Sequence, residues 1–397
     1  MKKIISLSAL FCLLLWLTGN FSLLAQQATQ TVSGIVLDDQ SEMGLTGATV
    51  AVIGTTPTLG SMTDESGEFI ISNVPIGRYS IQIKYLGYEE QTIPNVLVTA
   101  GKEVILEVRL TEQLIQAEEV VITGEVSKDR TQNELTTVSA RSFTLDEVRR
   151  YAGATNDVAR MAGNFAGVST ADDSRNDIVI RGNSPTGVLW RLEGIPIPNP
   201  NHFATLGTTG GPVSAMNPNM LKNSDFLTGA FPAEYGNALA GVFDLGFRTG
   251  NKRQHEFTAQ LNAFSGLELM AEGPFSKNSK GSYLAAYRYS FVQLGDALGI
   301  PVGTNAVPNY QDLSFNLDFG YGKYGRFSVF GIGGLSSIDF LADEIDETDL
   351  FANPSEDAFA RSRFGVVGVK HQLALGEKAY VRTVVSASTT QNDFDQD

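Results

Sequence analysis

Beyond Gly250 the chain alternates apolar and polar residues almost strictly. In FTAQLNAF, Phe257, Ala259, Leu261 and Ala263 alternate with Thr258, Gln260 and Asn262. In LSFNLDFGYG, Leu313, Phe315, Leu317, Phe319 and Tyr321 alternate with Ser314, Asn316, Asp318, Gly320 and Gly322. YLAAYRYSF sets Tyr283, Ala285, Tyr287, Tyr289 and Phe291 opposite Arg288 and Ser290. A period of two means strands with one apolar and one polar face. About six such strands are expected, near 255–272, 281–294, 311–323, 326–340, 361–375 and 378–392. Strands of about ten residues with this alternation are the signature of an outer-membrane barrel, with tyrosines at the interfacial girdles. A soluble antiparallel sheet with one wet face has the same period.

The front of the chain has a different rhythm. Short apolar runs at Val32–Leu37, Thr49–Ile53, Glu68–Ile71, Tyr79–Tyr85, Val96–Val98 and Val104–Leu110 are separated by the turn signals DDQSEMG, DESG, VPIG and TAG. Even spacing of this kind predicts a small all-β sandwich over 26–112. Within it Asp64 and Gly67 suit a turn, and Phe69 and Tyr79 suit the core. From 127 to 250 the pattern becomes mixed. Thr144 with Glu147 forms a capping box with Gly153 as stop, and Thr155 or Asn156 caps a second short helix that Gly163 ends. NDIVIRGN and GVLWRLEGIPIP then read as strands, and a Gly/Pro/Asn-rich passage runs from Asn199 to Asn219. In the linker, 113–126, AEEVVITGEV holds one lone strand that needs a pairing partner.

Three further features change this picture. Lys2 and Lys3, the apolar run from Ile4 to Leu17 and the small Ala25 make 1–25 a secretory signal peptide. The one cysteine, Cys12, falls inside that leader, so the mature chain has neither disulfides nor thiolate chemistry. The formal charge of −15 argues against a nucleic-acid partner. Forty glycines and 9% aromatics suit a turn-rich β protein, and no later run is long enough for a spanning helix, so any membrane crossing is by strands.

TDESGEFIISNVPIGRYSIQIKYLGYE, through Thr63, Asp64, Gly67, Phe69, Pro75, Gly77, Tyr79, Gly87 and Tyr88, resembles the carboxypeptidase regulatory-like domain, a transthyretin-type sandwich. Despite its name, the resemblance implies no peptidase activity. Arg181-Gly182 after an apolar strand, Glu193-Gly194 before Ile195-Pro196, and Glu234-Tyr235-Gly236 with Gly241-Val242 resemble, in order, the plug of TonB-dependent outer-membrane receptors. Glu193 stands where the family usually has Asp, which keeps the charge and lengthens the arm. The expected fold class is therefore mainly β: a transthyretin-like sandwich, an α+β plug over 127–250, and the first strands of an antiparallel transmembrane barrel over 251–397. A plugged lumen goes with about 22 strands. The stretch after Gly250 is far too short for that, and the reading is the front portion of a longer receptor of Bacteroidota type.

The resemblance also implies roles. Glu119, Val120, Val121, Ile122 and Thr123 occupy the place of the TonB box, where a TonB-type energy-coupling protein in the periplasm pairs by strand addition. Alternatively, they form an ordinary linker strand docked on a neighbouring domain. Arg181, Gly182, Glu193 and Gly194 are the structural motif of the plug, the two charges serving as ion pairs that hold plug to wall or strand to strand. Trp190 reads as packing. Asn199, Asn201, His202 and Phe203 lie in an irregular stretch, the kind that often carries function, and are candidates for substrate contact. The partners implied are outer-membrane lipid and an unknown small ligand (metal chelate, peptide or glycan), with the N-terminal domain in the periplasm.

No catalytic constellation emerges. His202, His255 and His371 fit no H-E-x-x-H pattern, no G-x-S-x-G elbow occurs, and GIGG at 331–334 lacks phosphate-binding spacing. The acidic run around Asp339, Asp343, Glu344, Asp346, Glu347 and Asp349 has no calcium-loop spacing and reads as a solvated outer loop. No cofactor or metal is called for. The expected function is a non-enzymatic, energy-coupled import receptor of the outer membrane. The alternative is a non-transporting secreted surface-binding or adhesion β-protein.

Overall fold

Val32, Phe69, Ile71, Val74, Ile81 and Ile83 are all buried, facing one another across the gap between two sheets. The computed structural model describes residues 28–113, 139–143, 148, 150, 151, 153, 154, 156–170, 174–205, 207–262, 266–277, 279–290, 308–340, 357–376 and 379–396. The front unit consists of β1 (Thr29–Asp38), β2 (Thr49–Ile53), β3 (Leu59–Met62), β4 (Glu68–Pro75), β5 (Gly77–Lys84), β6 (Gln91–Val98) and β7 (Val104–Leu110), in the sheet orders β4-β1-β7 and β3-β2-β5-β6. The Asp64 carboxylate accepts from the amides of Ser66 and Glu68, tightening the turn into β4. The short β3 was not foreseen, because Leu59-Gly60-Ser61-Met62 shows no alternation to read.

The middle unit is built on a five-stranded sheet of order β12-β11-β16-β15-β8: β8 (Ala140–Phe143), β11 (Val188–Leu192), β12 (Ile195–Pro196), β15 (Ser224–Leu227) and β16 (Gly241–Leu245). Two small hairpins flank it, β9 (Val168–Thr170) with β10 (Ile178–Ile180) and β13 (Asn201–His202) with β14 (Val213–Ser214). The helix α1 (Val158–Ala162) is capped by Asp157, whose side chain accepts from the amides of Ala159 and Arg160. The cap is therefore a little later than Thr155 or Asn156, and Gly163 ends the helix as expected. Thr144 and Glu147 lie outside the described residues. Trp190 is buried and stacks on Phe243 at 4.3 Å between centroids, with its indole N–H donated to the Thr209 carbonyl. Packing and a satisfied donor account for this indole.

The last unit is one antiparallel meander: β17 (Glu256–Asn262), β18 (Gly266–Pro274), β19 (Ser282–Tyr289), β20 (Asn309–Gly322), β21 (Gly325–Phe340), β22 (Ala358–Ala374) and β23 (Tyr380–Gln396). The sequence led us to expect six strands; there are seven among the described residues. The predicted 255–272 strand is a hairpin, β17 paired with β18, which opens at Gly266 with φ +83°. The alternation of the sequence continues from one strand into the next, so period alone could not divide them.

The seven-stranded sheet is inside out by the standards of a water-soluble protein. On β20 the side of Asp312, Ser314, Asn316 and Asp318 is buried, Ser314 and Asp318 to 1% exposure, while Leu313 and Phe319 on the other side are 46% and 51% exposed. On β22 Phe364 and Val366 face inward, and Val367 and Val369 outward. Met270, Leu284, Phe330, Ile332 and Phe364 of this wall share one core with Trp190, Phe226 and Phe243 of the middle unit. Among the described residues no helix is long and apolar enough to cross a membrane, which says nothing of strands.

Candidate functional site

The middle unit is fastened to the wall by charge at both ends of the strands. Near the end where β19 stops and β20 starts, the β13–β14 hairpin brings His202 against the wall. His202 Nε2 lies 3.0 Å from Asp312 Oδ2. Asp312 also takes Arg288 Nε at 2.7 Å, and Arg288 Nη2 returns to the Ser214 carbonyl of the hairpin at 2.6 Å. The Phe203 amide donates to Ser336 Oγ at 3.2 Å. Burial pushes the His202 ring below its ordinary value despite the pull of Asp312, so it is neutral at pH 7. The ring fits because position 334 is glycine: a Cβ there would stand 2.7 Å from His202 Cε1 and 2.6 Å from Phe364.

Behind the hairpin the chain is held by amides. Asn176 Nδ2 donates to Asp157 Oδ2 and to Asn201 Oδ1, both at 2.7 Å, and Asn201 Nδ2 donates to Asn199 Oδ1 at 2.6 Å. Asn201 and His202 are thus fully buried, Asn199 and Phe203 partly so. The irregular appearance of this stretch hid a buried polar network that positions the hairpin.

At the opposite end, Glu193 and Gly194 form a two-residue turn with φ +53° and +84°, joining Leu192 to its partner Ile195. Arg181 and Gly182 do the same between Ile180 and Asn183, with φ +50° and +77°. Positive φ at both central positions is the hairpin geometry that favours glycine second, so both X-Gly steps are backbone requirements first. Their charges differ in fate. Arg181 is exposed and donates to Ser139 Oγ at 2.8 Å. Glu193 Oε1 accepts the Phe247 amide at 2.7 Å, and its Oε2 meets Lys370 of the wall at 3.3 Å. The two do not pair with each other.

Around Glu193 lies a cavity of about 410 Å³ that reaches the front sandwich, with Glu42, Arg109, Arg191, Lys222 and Lys370 on its lining. Burial alone would raise the carboxyls here, but neighbouring cations outweigh it. Arg109, Lys370, Lys222 and Arg382 hold Glu42 well below the usual range; Lys222 and Arg109 bring Glu107 to about 2; Lys370 and Lys222 lower Glu193. Carboxyls depressed in the folded state stabilise it above their ordinary value near 4.5 and lose that contribution as pH falls toward 2. The sandwich contact should therefore hold from pH 7 to about 5 and weaken below about 4.5, read by amide exchange across the acid range. Among the described residues no cluster of three or more His, Cys, Asp or Glu is placed to hold a metal.

Residues 31–111 match the carboxypeptidase regulatory-like domain, and residues 132–242 match the TonB-dependent receptor plug domain. The chain thus carries a regulatory-like domain followed by a TonB-dependent receptor plug domain. This is the domain make-up of a TonB-dependent receptor, not of an enzyme. Among solved structures it is similar to the siderophore receptor PirA from Acinetobacter baumannii (14% identity, TM-score 0.39, covering 64% of this chain and 45% of that one). It is also similar to the outer membrane transporter YddB from Escherichia coli (13% identity, TM-score 0.42, 64% and 39%). A type II cohesin–X-dockerin complex from Acetivibrio cellulolyticus matches 21% of the chain at 31% identity, covering 58% of that chain with a TM-score of 0.18. The chain thus spans less than half the length of these receptor structures. No curated protein matches it.

The candidate coupling segment, Glu119 to Thr123, lies outside the described residues, as does the acidic run beyond Asp339. Glu42, Glu107, Lys222, Arg288, Asp312 and Lys370 were not singled out from the sequence. Arg288 and Asp312 did carry a signal: each falls on the polar side of an alternating strand, the side that turns out to face the plug. The other four had none, since their pairing joins positions far apart in the chain.

Proposed function

We propose that this chain serves in an energy-coupled import receptor of the bacterial outer membrane, with the plug seated against the barrel wall and the sandwich on the periplasmic side. The observation that carries the reading is the wall's inversion: carboxylates, serines and an asparagine packed toward the plug, Leu313, Phe319, Val367 and Val369 turned outward. Such a surface is stable where the outer medium is acyl chain, and an adhesion protein in water gains nothing from it. The connections support the orientation. β20 and β21 are joined through Lys323 and Tyr324 alone, and β22 and β23 through 375–379, whereas 290–308 and 341–357 join strands at the other end. Outer-membrane barrels keep short turns in the periplasm and long loops outside. The sandwich touches Gln372 and Arg382, beside a short turn.

In this reading a small ligand, whether metal chelate, peptide or glycan, binds from outside. A TonB-type protein then pairs with Glu119–Thr123 by strand addition and pulls the plug from its seat. Deleting 119–123 should abolish uptake and leave surface binding intact, with growth of a knockout on single ferric-chelate, cobalamin, peptide and glycan sources supplying the ligand for the assay. Normal uptake by the deletion variant would end the coupling role.

A further inference from the structure

The charge on the plug's Glu193 turn does not end at the wall. Lys370 Nζ, 3.3 Å from Glu193, is also 3.1 Å from Glu42 Oε2 of the sandwich. Glu42 Oε1 lies 2.7 Å from Arg109, Arg109 lies 3.2 Å from Glu107, and Glu107 lies 3.1 Å from Lys222, which is back on the plug just before β15. Three carboxylates and three cations therefore alternate along one path that leaves the plug at Glu193, crosses wall and sandwich and returns to the plug at Lys222, each side chain no more than 18% exposed. A second contact seats the sandwich beside the first. The buried Glu103 takes Arg253 and, at 3.0 Å, Asn251 Nδ2, both on the connection from plug to wall. Lys102 reaches Glu272 of β18 at 2.5 Å, and Gln372 Nε2 donates to the Ser41 carbonyl at 2.5 Å.

We propose that the sandwich is a clamp on the plug: docked on the turn end of the wall, it completes the pairing of Lys370 and Lys222, and undocking it loosens the plug from its seat. Lys370 is shared between a sandwich carboxylate and a plug carboxylate. With the sandwich in place the pair is shielded from bulk solvent, each side chain no more than 13% exposed, and stranding either partner is costly. With the sandwich lifted, the same pair faces water, where ion pairs contribute little. Docking of one domain and seating of the other are therefore coupled, and by linkage each favours the other. The coupling works through chemistry on this chain alone and does not depend on which ligand is imported.

The test uses the full chain in detergent. Cysteines at Ser41→Cys and Gln372→Cys, joined by a bismaleimide, report docking, and Cys12 of the leader is the chain's only native cysteine. Amide exchange of β11 and β16 reports plug seating. Glu42→Gln should cut the crosslink yield several-fold and speed exchange in β11 and β16 at least tenfold, while β2 and β5 stay protected. That control holds because the sandwich core contains no residue of plug or wall. Lys222→Gln breaks the path at its contact with Glu107 without changing any residue of the sandwich and should move both readouts the same way. A lost crosslink with unchanged exchange in β11 and β16 would make the sandwich a passenger, and an unchanged crosslink in both variants would remove the ionic docking; either overturns the clamp.

Discussion

Asp312→Ala should loosen the plug more than any other single change at its outer end, at a cost of about 3–5 kcal/mol. The Asp312 carboxylate holds both Arg288 and His202; His202 and Asp312 are buried and the Arg288 side chain is 13% exposed. Removing it leaves a guanidinium with the Ser214 carbonyl and the Tyr310 ring 5.5 Å away but no contacting carboxylate, and an imidazole with no acceptor at Nε2. The damage comes from the stranded cation rather than from a lost attraction. Arg288→Met combined with Asp312→Leu should therefore recover most of the loss, because replacing a buried pair with apolar groups is often close to neutral. Amide exchange of β13 and β14 in the two variants checks this. A cost under about 1 kcal/mol for Asp312→Ala would mean the hairpin is not held at that point.

Val367→Arg should fail differently, with plug contacts intact and the wall unable to settle in a bilayer. Val367 lies near the middle of β22, on the outward side, 48% exposed. At mid-bilayer depth an arginine on the lipid face of a strand costs about 2–4 kcal/mol, falling toward zero at the interfaces. Arg363→Lys, on the same side of β22 two pleat repeats away, keeps a charge that is already there and should be nearly silent. Folding yield into lipid vesicles, scored by the resistance of the folded band to heat in gels, separates the two. Equal yields would place the outward side of β22 in water.

The alternation of β20 and β22 was legible because a strand's side-chain period is fixed by backbone geometry, whatever lies on either side. Which side faces the interior was not, since Leu313 and Ser314 have the same spacing in a soluble sheet and in a barrel. The plug's presence settles it, and the two X-Gly turns that mark the plug were readable because positive φ restricts the residue choice. Their charges were harder to place. Arg181 and Glu193 look equivalent along the chain, yet one ends at Ser139 in the open and the other at Lys370 in a buried ionic path. His202 reads as an exposed loop residue because Asn199 to Asn219 lacks periodicity; its burial rests on amide-to-amide contacts that no period encodes. The extra strand at Leu59–Met62 and the β17–β18 hairpin were missed for opposite reasons, too little alternation in one and too much in the other.

A receptor wall must turn Leu313, Phe315 and Leu317 to lipid and Ser314, Asn316 and Asp318 to the plug. Spin labels placed one at a time at 311 to 318 in the vesicle-reconstituted chain, with collision rates to oxygen and to a water-soluble nickel chelate, read it directly. The prediction is high oxygen and low nickel access at 313, 315 and 317, with neither reagent reaching 314, 316 and 318. Nickel access at 313, 315 and 317 equal to that of an exposed turn such as Tyr324 would contradict it, and the outward face would then be a water-facing surface.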